Sequence, residues 1–139
     1  MKRTRVLVAD DHPAMLDCLV ALLEREHDVV AAVPDAHAMM AAATRFHPDV
    51  LVLDVQMPGL CGIAAAHCLK GGGCTAKVVF VTMDPGPEFV QDSQALGSVG
   101  FVVKDRLATD LLPAVRNVLD GRPFISPSIP RPASAARAR

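Results

Sequence analysis

Three carboxylates, one hydroxyl and one ammonium group in this sequence could do chemistry together. They belong to Asp10 and Asp11, Asp54, Thr82 and Lys104. Clustered carboxylates repel one another, and a hard divalent cation that takes oxygen ligands, Mg²⁺ (or Mn²⁺), would neutralise them. An aspartate can accept a phosphoryl group, a lysine can hold its oxygens, and a hydroxyl can donate a hydrogen bond. These residue types predict metal-assisted phosphoryl transfer, in which Asp10 and Asp11 hold the metal and Asp54 reacts.

Five short apolar runs are predicted to be the β-strands that carry these side chains. They are RVLVA (5–9), DVVAAV (28–33), DVLVLD (49–54), KVVFVT (77–82) and GFVVK (100–104). Their nearly continuous valine and leucine indicates strands that are covered on both faces. The polar residues stand at the carboxyl ends of the first, third, fourth and fifth runs.

Helical patterns alternate with these strands. One apolar stripe with the spacing of an amphipathic helix is formed by Leu16, Leu19, Val20 and Leu23. The alanine-rich segment 35–46 is a good helix former, and Asp35 is placed to cap it. Segment 111–121 ends in glycine, and its Pro113 is expected in the first helical turn. Because parallel strands need crossover connections, the alternation predicts an α/β fold with helices on both faces of a parallel sheet.

The predicted sheet brings the polar residues to one edge. Open α/β sheets bind their ligands outside the carboxyl ends of the strands. Taken singly, each residue has an ordinary alternative role, since an aspartate after a strand usually caps the next helix. Five such residues at the same edge favour a shared functional site.

The overall composition fits one domain that stays in the cytoplasm. The chain has 139 residues, 51% of them hydrophobic, and no apolar run approaches the length of a membrane span. The basic N-terminus leads into an apolar run that is too short for a signal peptide and ends in two acids. The four cysteines form no C-x-x-C pair and are expected to be reduced thiols, and no zinc-ligand spacing is found.

The charge is unevenly distributed. Residues 126–139 contain three arginines and no acid, and are rich in proline, alanine and serine. Subtracting these three charges from the total of −1 leaves −4 for residues 1–125. We therefore divide the chain into a domain, 1–125, and a flexible tail or linker, 126–139. The mildly acidic domain argues against direct DNA binding by this chain.

The chain resembles the receiver domain of bacterial two-component response regulators. The matching segments are DDH after the first strand, LDVQMPGLCG around Asp54, VTM at the fourth strand and GFVVKD at the fifth, in an order that fits over residues 4–122. The resemblance implies a flavodoxin-like, doubly wound sheet of five parallel strands in the order 2-1-3-4-5, with five helices. The segments TMDPGPEFV and GRPFISPSI are similar to those of receivers that precede a LuxR-type (NarL-type) helix-turn-helix domain.

The resemblance also implies a role for each site residue. Asp54 would be phosphorylated from a sensor histidine kinase or a histidine phosphotransfer protein. Asp11 and Asp54 would bind Mg²⁺ directly, together with the backbone carbonyl of Gln56, while Asp10 would act largely through water. Thr82 would move toward the phosphoryl group, and Phe101 would then swing inward. Lys104 would pair with the phosphoryl oxygens. Met83 and Gln56 would control access to the phosphoryl site.

Several positions depart from the pattern of the family. Asp105 follows Lys104 where many receivers have a proline joined by a cis bond, so a trans or reshaped loop is expected. Phe101 stands where tyrosine is frequent, and Met83 is bulkier than the small residue of many receivers. Pro85 and Pro87 should stiffen the start of the fourth helix. Only seventeen residues follow Arg122, too few for a helix-turn-helix domain, so a stand-alone receiver or a shortened form is expected.

Three functions are compatible with these residues. The first is a phosphorylation-dependent switch and not a turnover enzyme. Its face formed by helix 4, strand 5 and helix 5 would control a partner or, in a longer form, transcription. The second is an interaction module that keeps the fold without using phosphate. The third, a phosphatase or mutase, would need a D-x-D pair where this chain has Asp54-Val55-Gln56. Homodimerisation is compatible with the first function.

Overall fold

The computed structural model describes residues 3–57, 60–83, 91 and 93–127. Its strands are β1 (Arg5–Ala9), β2 (Asp28–Val33), β3 (Val50–Asp54), β4 (Lys77–Thr82), β5 (Val99–Val103) and β6 (Phe124–Ile125). They form one sheet in the order β2-β1-β3-β4-β5-β6, and every neighbouring pair is parallel. The predicted order 2-1-3-4-5 is therefore confirmed.

The sixth strand corrects the predicted number of five. β6 has two residues and pairs with β5 through Gly100↔Phe124 and Phe101↔Ile125. After the last helix the chain turns back and pairs with β5, because Gly121 adopts a positive φ of 78°. Two residues are too few for any alternation of apolar and polar positions to be visible in the sequence.

Four helices lie in the part of the chain that the structure describes. They are α1 (Pro13–Leu23), α2 (Ala36–Phe46), α3 (Gly62–Gly71) and α4 (Leu107–Leu119), and none of them is long and apolar enough to cross a membrane. α4 corresponds to the fifth predicted helix. The fourth predicted helix, with Pro85 and Pro87 before it, falls mostly on residues 84–90 and 92, outside the described residues.

Alternate residues of the strands enter two hydrophobic cores, one on each face of the sheet. On one face, residues such as Leu7, Leu51 and Phe80 pack with α2 and α3. On the other face, residues such as Val8 and Val52 pack with α1 and α4. β3 and β5 are buried along their whole length, as the valine-rich runs predict. The doubly wound α/β architecture is thereby confirmed.

Two predictions about helices have different outcomes. Asp35 caps α2 as predicted, because its side chain accepts a hydrogen bond of 2.8 Å from the backbone N–H of Ala38. The placement of Pro113 in the first turn of the last helix is wrong. α4 begins at Leu107, and Pro113 is its seventh residue.

Packing explains why α4 continues through a proline. An interior proline costs about 3 kcal/mol, since it removes one N–H and crowds the preceding turn. Five apolar side chains of α4 are buried against the sheet, and full burial of one valine or leucine stabilises by about 1.5–3 kcal/mol. The buried stripe, which consists of Leu107, Leu111, Ala114, Val115 and Val118, therefore outweighs the local penalty.

The described part of the domain extends past the predicted boundary at residue 125. Ser126 is fully buried, and its backbone N–H donates a hydrogen bond of 2.9 Å to the carbonyl of Phe101. Ser126 therefore belongs to the folded domain and not to the tail. The tail beyond residue 127 lies outside the described residues and remains a prediction.

Candidate functional site

Four of the predicted site residues meet at the carboxyl edge of the sheet. Asp10 follows β1, Asp54 and Thr82 are the last residues of β3 and β4, and Lys104 follows β5. All four are buried. The central strands are in register, so that Asp54 lies beside Val81 and Thr82 beside Val103. The crevice that the sequence predicts is therefore present.

Lys104 is the cation that faces the acidic residues. Its Nζ lies 3.0 Å from Oδ2 of Asp10 and 3.1 Å from Oδ2 of Asp54. Burial alone would lower the pKa of Lys104, but its contacts with the two nearby carboxylates outweigh burial and raise it. The ammonium is therefore charged and bridges two carboxylates from neighbouring strands.

Backbone amides fix the second oxygen of each of these carboxylates. Oδ1 of Asp10 accepts a hydrogen bond of 2.9 Å from the N–H of His12. Oδ1 of Asp54 accepts one of 3.0 Å from the N–H of Gln56. Both contacts span two residues, the local arrangement that short acidic side chains make in turns. Asp10 does not cap α1, whose N-cap is His12 without a side-chain hydrogen bond, so the ordinary capping role does not account for it.

The carboxylate cluster fits a hard divalent cation. Ligand atoms of Asp10, Asp11, His12 and Asp54 all lie within 4.8 Å of one another. Among the described residues, the buried atoms Asp10 Oδ2 and Asp11 Oδ1 accept no hydrogen bond, although Lys104 lies near the first and His12 near the second. Oxygen atoms held close together with spare lone pairs are the ligands that Mg²⁺ prefers. The orientation of the Gln56 carbonyl toward this cluster remains a prediction.

Burial sets the electrostatics of Asp54. Desolvation raises the pKa of its carboxyl group, although the N–H of Gln56 and the ammonium of Lys104 lower it. The negative charge of Asp10 adds to the upward shift. A divalent cation at the cluster would oppose the shift, because a nearby positive charge favours the ionised carboxylate. The ionised form is the one that can act as a nucleophile.

The three residues predicted to respond to the site differ in exposure. Thr82 is buried at the end of β4, while the side chain of its neighbour Met83 is 65% exposed. Phe101 is already inside the domain, fully buried, with its ring centroid 5.1 Å from that of Phe80. The access role of Met83 and Gln56 and the movements of Thr82 and Phe101 remain predictions.

Two residues that shape the site were missed as separate features of the sequence. His12 brings Nδ1 to 3.1 Å from Oδ1 of Asp11, and its place directly after two acids was the available signal. Gly62 opens α3 against the backbone of Asp54. A Cβ atom at Gly62 would lie 2.3 Å from the carbonyl oxygen of Asp54, a contact that only glycine avoids.

The loop at Lys104 contains only trans peptide bonds, as expected from Asp105 after the lysine. Residues Lys104–Arg106 form one turn of 3-10 helix, and the described residues contain no cis peptide bond. A separate cavity of about 660 Å³ lies away from this crevice and is lined in part by Met40, His47 and Cys68. It contains none of the predicted site residues.

Comparison with known proteins agrees with this geometry. The family model for the response regulator receiver domain matches residues 6–116. The curated relatives include the probable transcriptional regulatory protein NarL of Mycobacterium tuberculosis, 29% identical over 92% of this chain and 60% of that protein. The transcriptional regulatory protein DesR of Bacillus subtilis is 30% identical over 89% of this chain and 62% of that protein. This chain thus spans about three fifths of the length of these relatives.

Solved structures show the same similarity. The signal receiver domain of the putative response regulator NarL from M. tuberculosis has a TM-score of 0.82 and 29% identity, covering 88% of this chain and 100% of that one. A LuxR-family two-component response regulator from Aurantimonas has a TM-score of 0.88 and 28% identity, covering 99% of this chain and 100% of that one. The likeness to LuxR-type and NarL-type receivers, expected from the sequence, is confirmed.

Proposed function

Because the chain belongs to the response regulator receiver family, we propose that it is a phosphoacceptor switch that takes a phosphoryl group on Asp54. The observation that carries the proposal is the arrangement around Lys104, whose Nζ lies within 3.1 Å of both Asp10 and Asp54. The donor would be a phosphohistidine on a sensor kinase or on a phosphotransfer protein. We place the reaction in the cytoplasm.

In the proposed reaction, a carboxylate oxygen of Asp54 attacks phosphorus. The new P–O bond forms as the P–N bond of the phosphohistidine breaks, and the departing imidazole takes up a proton. The N–H of Gln56 holds the other carboxylate oxygen, and Lys104 offers its ammonium to the phosphoryl oxygens. The charge of the transferred group is the main obstacle, so positioning and neutralisation supply most of the catalysis.

The metal would be held directly by Asp11, Asp54 and the backbone carbonyl of Gln56, while Asp10 would act largely through water. When bound, Mg²⁺ (or Mn²⁺) supplies positive charge that offsets the negative charge of the phosphoryl oxygens. Thr82, at the end of β4, would donate a hydrogen bond from its hydroxyl to the group on Asp54. Phe101 is fully buried, and phosphorylation of Asp54 would stabilise this inward position.

The output surface would include β5 and α4, together with residues 84–93, most of which lie outside the described residues. A partner protein or a second copy of this chain could bind there. The curated relatives are named as transcriptional regulators, and this chain spans about three fifths of their length. Control of transcription would be exerted through a longer form, and we propose no direct DNA binding by residues 1–139.

The test is covalent labelling by a small phosphodonor. The purified chain is incubated with Mg²⁺ and acetyl phosphate or phosphoramidate, and its intact mass is measured. We expect a gain of one phosphoryl group that is absent in Asp54→Asn and present in Asp17→Asn, a matched control on the exposed face of α1. Chelation of the metal should abolish the gain. No gain in folded, Mg²⁺-binding protein would instead support an interaction module that does not use phosphate.

A further inference from the structure

A hydrogen-bonded group connects the C-terminal strand to residues on both sides of Lys104. It consists of the side chains of Ser126, Asp110 and Arg106 and the backbone N–H of Val103. The N–H of Val103 donates to Oγ of Ser126 at 3.2 Å, and the Ser126 hydroxyl donates to Oδ2 of Asp110 at 2.7 Å. Nε of Arg106 donates to the same Oδ2 at 2.9 Å. We call these four residues the Ser126 network.

The network holds the residues that flank the site lysine. Val103 directly precedes Lys104 and is held through Ser126, whereas Arg106 follows two residues later and is held directly by Asp110. The buried carboxylate of Asp110 is therefore linked to the start of the 3-10 turn at Lys104–Arg106 through Ser126 and Val103, and to its end through the side chain of Arg106. Lys104 must direct Nζ to two carboxylates on different strands, so a small displacement of its backbone would misplace the ammonium.

Burial and charge make the network a specific contact. Ser126 is fully buried and Asp110 is nearly so. Burial alone would raise the pKa of Asp110, but the hydrogen bonds from Arg106 and Ser126 outweigh it and lower the pKa. A buried carboxylate that accepts charge-assisted hydrogen bonds is held in one geometry. Ser126 itself is placed by its backbone hydrogen bond to Phe101, in continuation of the β5–β6 pairing.

We propose that Ser126 is a positioning residue for Lys104, so that the C-terminal strand forms part of the phosphorylation site. The proposal rests on the proposed phosphotransfer to Asp54. It assigns a function to β6, which brings the Ser126 hydroxyl within hydrogen-bonding distance of Val103, the last residue of β5. It also accounts for a lysine loop that is ordered in a trans conformation with Asp105 after the lysine. Displacement of β6 would slow phosphorylation without removing any residue from the crevice.

The test compares Ser126→Ala with Ser98→Ala. Ser98 is a matched control, because its hydroxyl also makes a 2.8 Å hydrogen bond to the C-terminal region, at the carbonyl of Gly121. Phosphorylation by phosphoramidate is measured at saturating Mg²⁺, per folded molecule, well below the unfolding temperature. We expect Ser126→Ala to slow the reaction about tenfold, the order expected for a sub-ångström misplacement of a positioning group. Ser98→Ala should stay within about twofold of the unmodified protein.

A double-mutant cycle distinguishes positioning from general destabilisation. If Ser126 acts through Lys104, Ser126→Ala should have almost no further effect in a Lys104→Gln background. The same tenfold loss in both backgrounds would overturn the proposal, as would an unchanged rate in Ser126→Ala alone. Arg106→Gln changes a partly exposed member of the network and provides a second variant if Ser126→Ala fails to fold; it too should slow the reaction only when Lys104 is present.

Measurements on the unmodified protein distinguish failure of the proposed phosphotransfer from failure of the positioning role of Ser126. If the unmodified chain takes up no phosphoryl group, the proposed function fails. If the unmodified chain is phosphorylated and Ser126→Ala reacts at the same rate, only the positioning role fails.

Discussion

Replacement of Lys104 by methionine should destabilise the domain strongly in the absence of divalent cations. The side chains of Lys104, Asp10 and Asp54 are 5%, 0% and 6% exposed, so solvent screens these charges little. Removing the only cation within ion-pair distance of both carboxylates in the described chain leaves two buried like charges. Breaking a buried ion pair by removing one partner costs about 3–5 kcal/mol. We expect a loss in that range, although methionine preserves most of the aliphatic packing.

The assay is urea unfolding at neutral pH with a chelator present. Lys77→Met is the matched control, because Lys77 starts β4 at the opposite edge of the sheet and forms no ion pair among the described contacts. The control should change the free energy of unfolding by less than about 0.5 kcal/mol. A similar small change in Lys104→Met would refute the conclusion that the lysine holds the carboxylates together.

Mg²⁺ and pH give two further readouts on the same variant. A cation at 100 times its dissociation constant stabilises a folded protein by about 2.7 kcal/mol. Mg²⁺ should stabilise Lys104→Met more than the unmodified protein, because it then replaces the missing ammonium. Burial and the charge of Asp10 raise the pKa of Asp54. An acid whose pKa is raised in the folded state favours folding at low pH. The loss of unfolding free energy in Lys104→Met should therefore become smaller as pH falls.

Three further predictions concern other parts of the domain. Burial lowers the pKa of His27 below 6.5, so the free energy of unfolding should fall as pH drops below about 6.5. In urea unfolding at several pH values, His27→Gln should make the free energy of unfolding depend less on pH. Gly62→Ala should lower both the melting temperature and the phosphorylation rate, because its Cβ would lie 2.3 Å from the carbonyl oxygen of Asp54. An unchanged phosphorylation rate would contradict this close approach of Gly62 to the Asp54 backbone. Pro113→Ala should stabilise by up to about 3 kcal/mol, because it restores an N–H for the carbonyl of Thr109; a clear loss of stability in calorimetry would contradict this.

Periodicity in the sequence was sufficient for the strands that have a buried hydrophobic pattern. The runs that became β1 to β5 are five or six residues long and rich in valine, so their bounds agree with the structure to within one residue. The strand order came from family resemblance, because hydrophobic patterns do not specify which strands are neighbours. β6 was missed, since its existence depends on pairing with β5 and on a turn at Gly121.

The site was predictable in its residue types and only partly in its contacts. Carboxyl-end placement on parallel strands was enough to bring Asp10, Asp54, Thr82 and Lys104 together. The bridging of two aspartates by Lys104 depends on side-chain reach across three strands, which spacing along the chain does not encode. Pro113 was placed wrongly because local propensity disfavours proline within a helix, whereas the burial of the α4 stripe determined where the helix begins.

The two ion pairs of Lys104 suggest how the site could receive a phosphoryl group with little rearrangement. Before phosphorylation, the ammonium offsets part of the repulsion between Asp10 and Asp54. After transfer to Asp54, one ion pair can pass to the phosphoryl oxygens while the other, to Asp10, continues to hold the lysine. Such an exchange requires a main chain that does not follow the moving ammonium. In our proposal the Ser126 network supplies that anchor, because it holds the backbone N–H of Val103 before Lys104 and the side chain of Arg106 after it.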